Sequence, residues 1–121
     1  MSINEDKERE ERIYNEIIVD AYDESERAMG WFYYLQDTMR FPFKATCIEK
    51  KAISPLRKGE IVEVIGLASE EDCEHDMFVT VSWENRDLAV PLAQLVPVKT
   101  DNETRNAVED WHYWIKRGYE F

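Results

Sequence analysis

The stretch that decides the fold runs from residue 59 to residue 98: GEIVEVIGLA (59–68), SEEDCEHD (69–76), MFVTVSW (77–83), ENRD (84–87) and LAVPLAQLVPV (88–98). In the first run, Val62 and Val64 share one face while Ile61, Glu63 and Ile65 share the other, which is the two-residue period of a β-strand. The run 77–83 alternates in the same way. Residues 69–76, which we call the acidic crest, join these two predicted strands and carry five acids in eight positions.

The period of two begins earlier, at Phe43, and returns after the acidic crest. It predicts strands at 43–48, 59–68, 77–83, 88–91 and 95–98, with a tight turn at 84–87 and a 3₁₀ turn at 92–94. Five short strands with a 3₁₀ turn before the last are typical of an SH3-like barrel, a scaffold that implies no function by itself. We therefore assign residues 41–99 to a small SH3-like β-barrel part.

Helical signals precede the predicted barrel, in residues 1–40. Apolar residues recur four apart at 13, 17 and 21, which predicts a helix over residues 5–23. Asp23 is an N-cap type with Glu26 three positions later, so a second helix is predicted from there to about residue 36. Its buried face includes Ala28, Trp31 and Leu35, and Tyr33 and Tyr34 lie at the margin of that face. Together these segments form an N-terminal helical hairpin.

A C-terminal helix is predicted within residues 100–121. Asp101 or Asn102 is its N-cap, Trp111 and Trp114 lie on its apolar stripe, and Gly118 ends it. We expect the two tryptophans to dock on the barrel or on the N-terminal helices, and residues 118–121 to be the last ordered tail. The predicted fold class is α+β, in a single compact unit of 121 residues.

The charge of the chain limits its partners. Its 26 acids and 15 bases give a net charge of −11, which argues against nucleic acid and against anionic membrane surfaces. Cations and basic proteins are the partners that such a surface favours. The two cysteines form one bridge at most, and the first residues lack the basic and apolar regions of a signal peptide. We expect free thiols, a cytoplasmic location and a monomer.

The sequence lacks the patterns of common catalytic sites. Its only histidines are His75 and His112, which leaves little for a nucleophile and base pair or for a zinc site. The four glycines are isolated, so there is no phosphate-binding loop. We expect the protein not to be an enzyme.

Carboxylates gathered in loops and at helix ends favour Ca²⁺, a hard ion that takes six to eight oxygens in flexible geometry. Two carboxylates about 5 Å apart repel by roughly 0.8 kcal/mol in water, and a divalent cation turns that repulsion into attraction. No EF-hand loop of the form D-x-[DN]-x-[DN]-G is present, so a site has to be assembled from separate segments.

Several longer runs point the same way: RIYNEIIVDAY (12–22), ERAMGWFYYL (26–35), FPF (41–43), SPL (54–56), LAVPLAQL (88–95) and EDWHYW (109–114). In these runs the chain resembles the small acidic calcium-binding protein family without EF-hands that is typified by the cyanobacterial calcium-buffering protein CcbP. The resemblance covers nearly the whole length. It implies an intracellular Ca²⁺ binder built from an N-terminal helical part and a β-barrel part, and it supplies no ligand list.

The ligands are therefore predicted from the chain alone. The end of the second helix and the acidic crest are distant in sequence, and both are needed to supply enough oxygens. The predicted metal ligands are Asp37, the carbonyl of Thr38, Asp72, Glu74 and Asp76. Weaker candidates are Glu70 and Glu71, and a second, looser site at the turn between the helices comprises Asp20, Asp23 and Glu24.

Two functions remain open at this point. The first is an intracellular protein that buffers or senses Ca²⁺ through surface carboxylates. The alternative is an SH3-like interaction module that docks a basic protein partner on its acidic face, with Ca²⁺ binding incidental. A solvated acidic surface that only keeps the protein soluble also explains the charge.

Overall fold

The structure is a computed structural model and describes residues 6–117. Five antiparallel strands form one sheet in the order β4-β3-β2-β1-β5. Among the described residues the sheet is open, since no pairing joins β4 to β5, so closure into an SH3-like barrel is not confirmed. The strands are β1 Phe43–Cys47, β2 Ile61–Leu67, β3 Phe78–Trp83, β4 Arg86–Pro91 and β5 Leu95–Lys99.

The alternation predicted for the central strands is confirmed. Val62 and Val64 of β2 are buried, whereas Ile61 and Ile65 are exposed. Val64 lies opposite Val81, which is also buried. Apolar residues on one face of β2 and β3 therefore form the core, as the period of two requires.

The hairpin between β3 and β4 is tighter than predicted. Strand β4 begins at Arg86, two residues earlier than expected, and Trp83 pairs with Arg86. Glu84 and Asn85 both have positive φ, 48° and 65°. Two consecutive left-handed residues make the type of two-residue turn whose twist matches the flanking strands. The prediction of a four-residue turn over 84–87 was wrong by two residues for this reason.

The first helix is shorter and less regular than predicted. The α-helical turns, α1, cover Lys7–Arg12 and continue as one π-helical turn over Ile13–Ile17, closed by the Ile18 N–H donating to the Ile13 carbonyl at 2.9 Å. Ile18 leaves helical geometry with φ of −112° and ψ of 24°, and Asp20 then has a positive φ of 59°, so the helix ends well before residue 23. The predicted burial of Ile13 and Ile17 is confirmed. The predicted start at residue 5 lies outside the described residues.

The second helix, α2, covers Glu24–Thr38 and begins as predicted. The Asp23 carboxylate accepts a hydrogen bond from the Glu26 N–H at 2.8 Å, which satisfies one of the free donors of the first turn. Ala28, Trp31 and Leu35 are buried. The helix ends when Met39 becomes extended, two residues later than expected and ahead of the Phe41-Pro42 peptide.

The third helix, α3, covers Asn102–Lys116, with Asp101 as the N-cap. The Asp101 carboxylate accepts from the Thr104 N–H at 3.1 Å. The rings of Trp111 and Trp114 pack on Trp31 of α2, with centroids 5.1 Å and 5.7 Å away. The predicted docking of this helix on the N-terminal helices is therefore confirmed, whereas Gly118 and the predicted tail lie outside the described residues.

A buried ion cluster joins the three helices. Asp110 of α3 is fully buried and accepts hydrogen bonds from the guanidinium groups of Arg9 and Arg12, at 2.7 to 2.9 Å, and from the Tyr34 hydroxyl at 2.5 Å. Burial raises the pKa of Tyr34, and the hydrogen bond to Asp110 raises the pKa of Arg12. Both side chains therefore keep their protons and act as donors.

Within residues 6–117, no helix is long and apolar enough to cross a membrane. The division into a helical part, a sheet part and a C-terminal helix stays a prediction.

Candidate metal centre

The acidic crest folds around one buried thiol. Glu71–Cys73 form a short 3₁₀ turn, and the Ser69 hydroxyl accepts from the Asp72 N–H at 3.3 Å where the turn begins. Cys73 is 2% exposed, and its Sγ accepts from the Phe78 N–H at 3.4 Å. Because the thiol points inward, Glu71 and Asp72 point to solvent. Burial raises the pKa of the Cys73 thiol, so this group stays protonated and is a poor metal ligand.

A cleft of about 450 Å³ separates the acidic crest from the start of α2. Carboxylates line both of its walls, and the only imidazole in its described lining is that of His75. The lining residues are Asp23, Glu24, Ser25, Ala28, Met29, Glu70, Glu71, Cys73, Glu74 and His75. Asp23 and Glu24, predicted as part of a separate site, therefore border the same space as three acids of the acidic crest, Glu70, Glu71 and Glu74.

Two contacts tie α2 to the acidic crest. The Nδ1 atom of His75 lies 3.1 Å from a carboxylate oxygen of Glu24. The Tyr33 hydroxyl donates to Glu70 Oε1 at 2.9 Å, and this hydrogen bond raises the pKa of Tyr33. Glu24 and Tyr33 are nine positions apart, about 13 Å along the helix at 1.5 Å per residue. The acidic crest therefore runs alongside α2 for more than two turns.

Asp37 and Thr38 lie at the far end of the same helix. Asp37 is exposed, and Thr38 is the last residue of α2. Neither residue is in the described lining of the cleft. Asp37 is four positions after Tyr33, so it shares a helix face with the residue that holds Glu70, about 6 Å further along the axis. The assignment of Asp37 and Thr38 as ligands stays a prediction.

The other predicted ligands occupy different surroundings. Asp72 is exposed, and one of its carboxylate oxygens accepts from the Ser69 hydroxyl at 3.0 Å. Asp76 is half-buried and accepts from the Met77 N–H at 2.8 Å. Burial raises the pKa of Asp76, while that hydrogen bond and the charge of Lys51 act in the opposite direction. Asp20 is exposed and is absent from the described lining of the cleft.

The donors present fit a hard cation better than a soft one. Most of the donor groups that line the cleft are carboxylates, and Ca²⁺ accepts carboxylates in flexible geometry. Across residues 6–117, no three His, Cys, Asp or Glu side chains converge closely enough to hold an ion together. Binding in the cleft therefore requires exposed side chains such as Glu71 and Glu74 to rotate inward, which their exposure permits.

Sequence reasoning missed two features of this site. The first is that the start of α2 faces the acidic crest. It was missed because local sequence patterns do not indicate which end of a helix a distant loop will contact. The second is the bond from Tyr33 to Glu70. The sequence places Tyr33 at the margin of the buried helix face, and its 48% exposure agrees, but margin position alone does not name a partner.

The fold and this cleft define an acidic α+β protein with carboxylates on both walls of one cleft. A protein-family model described as calcium binding, the CcbP family, matches residues 11–115. The chain is 41% identical to the protein in the crystal structure of Anabaena CcbP, over 100% of both chains and with a TM-score of 0.88. The chain belongs to the CcbP family of calcium-binding proteins.

A second solved structure agrees. It is described as a calcium-binding protein in the calcium-binding form, and it is 41% identical over 96% of this chain and 95% of its own, with a TM-score of 0.85. A search of curated protein sequences gave no significant match. The resemblance seen in the sequence is confirmed, and with it calcium as the ligand of this family.

Proposed function

We propose that the protein buffers or senses intracellular Ca²⁺, which it binds without an EF-hand in the cleft between α2 and the acidic crest. The observation that carries the proposal is the lining of that cleft, where Asp23 and Glu24 lie on one wall and Glu70, Glu71 and Glu74 on the other. These carboxylates come from two segments distant in sequence. An ion between them relieves their mutual repulsion and attracts the carboxylates of both walls, which favours the approach of α2 to the acidic crest.

The remaining predicted ligands enlarge the proposed site. Asp37 and the Thr38 carbonyl continue the helix wall beyond Tyr33, and Asp72 and Asp76 add carboxylates within the acidic crest. Helix-end carbonyls lack intrahelical partners, and Ca²⁺ accepts carbonyl oxygen as readily as carboxylate oxygen. Asp20 contributes only if the loop before α2 turns toward the ion.

The exposure of these side chains predicts moderate affinity. Ordering several exposed acids around an ion costs conformational entropy, so we expect a dissociation constant on the order of 10⁻⁵ M or weaker. Such a value suits an ion that comes and goes. A sensor also requires a change of shape, and the approach of α2 and the acidic crest on binding is the movement this site provides.

Calorimetric titration with Ca²⁺ in buffer that contains Mg²⁺ tests the proposal. Glu74→Gln and Asp23→Ser each remove one cleft charge, and the second keeps an N-cap oxygen for α2. We expect each to weaken binding about threefold or more, the loss of one charged contact. The matched control, Glu8→Gln, removes an exposed acid on α1 and leaves binding unchanged. Equal, weak losses in all three variants would contradict a defined site.

The test also separates the alternative function. If Ca²⁺ binding is diffuse and disappears in high salt, the acidic surface is an interaction face for a basic protein partner. The strand order β4-β3-β2-β1-β5 and the 3₁₀ turn Leu92–Gln94 before the last strand support the SH3-like description that this alternative uses. In either case we propose a cytoplasmic monomer without catalytic activity that binds neither nucleic acid nor membranes.

A further inference from the structure

We infer that Tyr33 is a positioning residue for calcium: it holds the Glu70 carboxylate in the orientation that the ion requires. The inference rests on the proposed function of the cleft. The Tyr33 hydroxyl donates to Glu70 Oε1 at 2.9 Å, across the gap between α2 and the acidic crest. Tyr33 is absent from the described lining of the cleft, so it acts on the ion through Glu70.

The geometry leaves Glu70 competent to bind. The phenol contacts Oε1, and within residues 6–117 no hydrogen bond involves Oε2, which leaves that oxygen for the ion. Glutamate has many rotamers, and an exposed glutamate must be ordered before it can coordinate. A neutral donor on one oxygen orders the carboxylate and preserves its charge, the role that outer partners of metal ligands commonly have.

The neighbouring residue provides a matched control. The Tyr34 hydroxyl also donates a hydrogen bond to a carboxylate, but that carboxylate is Asp110 of the buried ion cluster. Tyr34 is absent from the described lining of the cleft. Two adjacent tyrosines on α2 therefore make the same kind of hydrogen bond in different places. The Tyr33 hydroxyl contacts the acidic crest, and the Tyr34 hydroxyl contacts the ion cluster between α1 and α3.

The experiment compares Tyr33→Phe with Tyr34→Phe by calorimetric Ca²⁺ titration and by urea unfolding without calcium. We expect Tyr33→Phe to weaken Ca²⁺ binding on the order of threefold to tenfold and to leave the urea midpoint unchanged. Tyr34→Phe has the opposite pattern, with a lower urea midpoint and unchanged affinity. Wild-type affinity in Tyr33→Phe would overturn the inference.

A double-mutant cycle shows whether Tyr33 acts through Glu70. In a Glu70→Gln background, Tyr33→Phe has no further effect on affinity if the two residues work as a pair. An undiminished loss in that background would also overturn the inference. Glu70→Gln alone separates the two proposals. If it weakens binding while Tyr33→Phe does not, only the role of Tyr33 fails, whereas wild-type affinity in Glu70→Gln removes Glu70 from the proposed cleft site itself.

Discussion

At the scale of single residues, the acidic side chains have at least three structural roles. Asp101 caps a helix, Asp110 anchors a buried ion cluster, and Glu71 and Glu74 border the cleft with their charges exposed. Asp23 has two of these roles, since it caps α2 and also lines the cleft. A net charge therefore says little until each carboxylate is placed, because burial and hydrogen bonding decide what a carboxylate does.

Replacing Asp110 tests the structural role of the ion cluster. Asp110→Asn removes the buried charge that faces Arg9 and Arg12, and it leaves two half-buried guanidinium groups partly unpaired. We expect a loss of about 3 kcal/mol or more in the free energy of unfolding, measured by urea denaturation. Glu109→Gln, one residue earlier, changes a half-exposed side chain that lies 3.7 Å from Arg9, and its cost should stay below about 1 kcal/mol. Similar losses for both variants would contradict the assignment.

His112 makes stability depend on pH. Its Nε2–H donates to the Leu95 carbonyl at 2.7 Å. Burial lowers the pKa of His112 below 6.5 and Lys116 acts in the same direction, whereas the hydrogen bond to Leu95 and the charges of Glu109 and Glu49 oppose the shift. As the pH falls below 6.5, the unfolded chain binds a proton before the folded one does. The free energy of unfolding then decreases, by at most about 1.4 kcal/mol per pH unit from this group.

Urea unfolding at several pH values between about 5.5 and 7.5 measures this slope. The control is His112→Gln, whose amide retains a donor for the Leu95 carbonyl but does not titrate. We expect the variant to have a shallower slope than the wild type. An identical slope in both proteins would show that His112 is not the titrating group.

At the scale of elements, the close approach of α2 to the π-helical turn Ile13–Ile17 depends on one glycine. A Cβ at Gly30 would overlap the backbone carbonyl oxygen of Ile17, which has no flexible atoms with which to give way. Gly30→Ala should therefore separate the two segments and cost about 1–3 kcal/mol in urea unfolding. Gly66→Ala is the control, because a Cβ there meets nothing within 4 Å, and its effect should stay within about 0.5 kcal/mol. Equal effects would mean that the close contact is unimportant.

Sequence periodicity predicted those elements that depend on local rules. The alternation of β2, the Asp23 cap and the 3₁₀ turn before β5 all follow from spacing and capping chemistry, and all were confirmed. The π-helical turn was not predicted, because a turn with one extra residue has no characteristic residue types. It lies where Gly30 of α2 approaches the Ile17 carbonyl, a tertiary contact that the local sequence does not indicate. The start of β4 was missed because Asn85 and Glu84 both adopt positive φ, which the sequence alone favours only for asparagine.

At the scale of the whole molecule, the site could be predicted only in part. The acidic crest was identified from its composition, and family membership confirms calcium as the ion. The position of α2 opposite the acidic crest depends on tertiary packing, which the sequence does not show. Trp31 of α2 packs on the aromatic rings of α3, and this packing positions the acids at the start of α2. The helices thus act as a frame that brings Asp23 and Glu24 to the crest.

The most direct measurement is the position of the ion itself, by diffraction from crystals grown with calcium. The account predicts Ca²⁺ between α2 and the acidic crest, with carboxylate oxygens from both walls at about 2.3–2.6 Å, among them an oxygen of Glu70. An ion held only by acids outside this cleft, such as those of α1 or of the turn between β3 and β4, would contradict it.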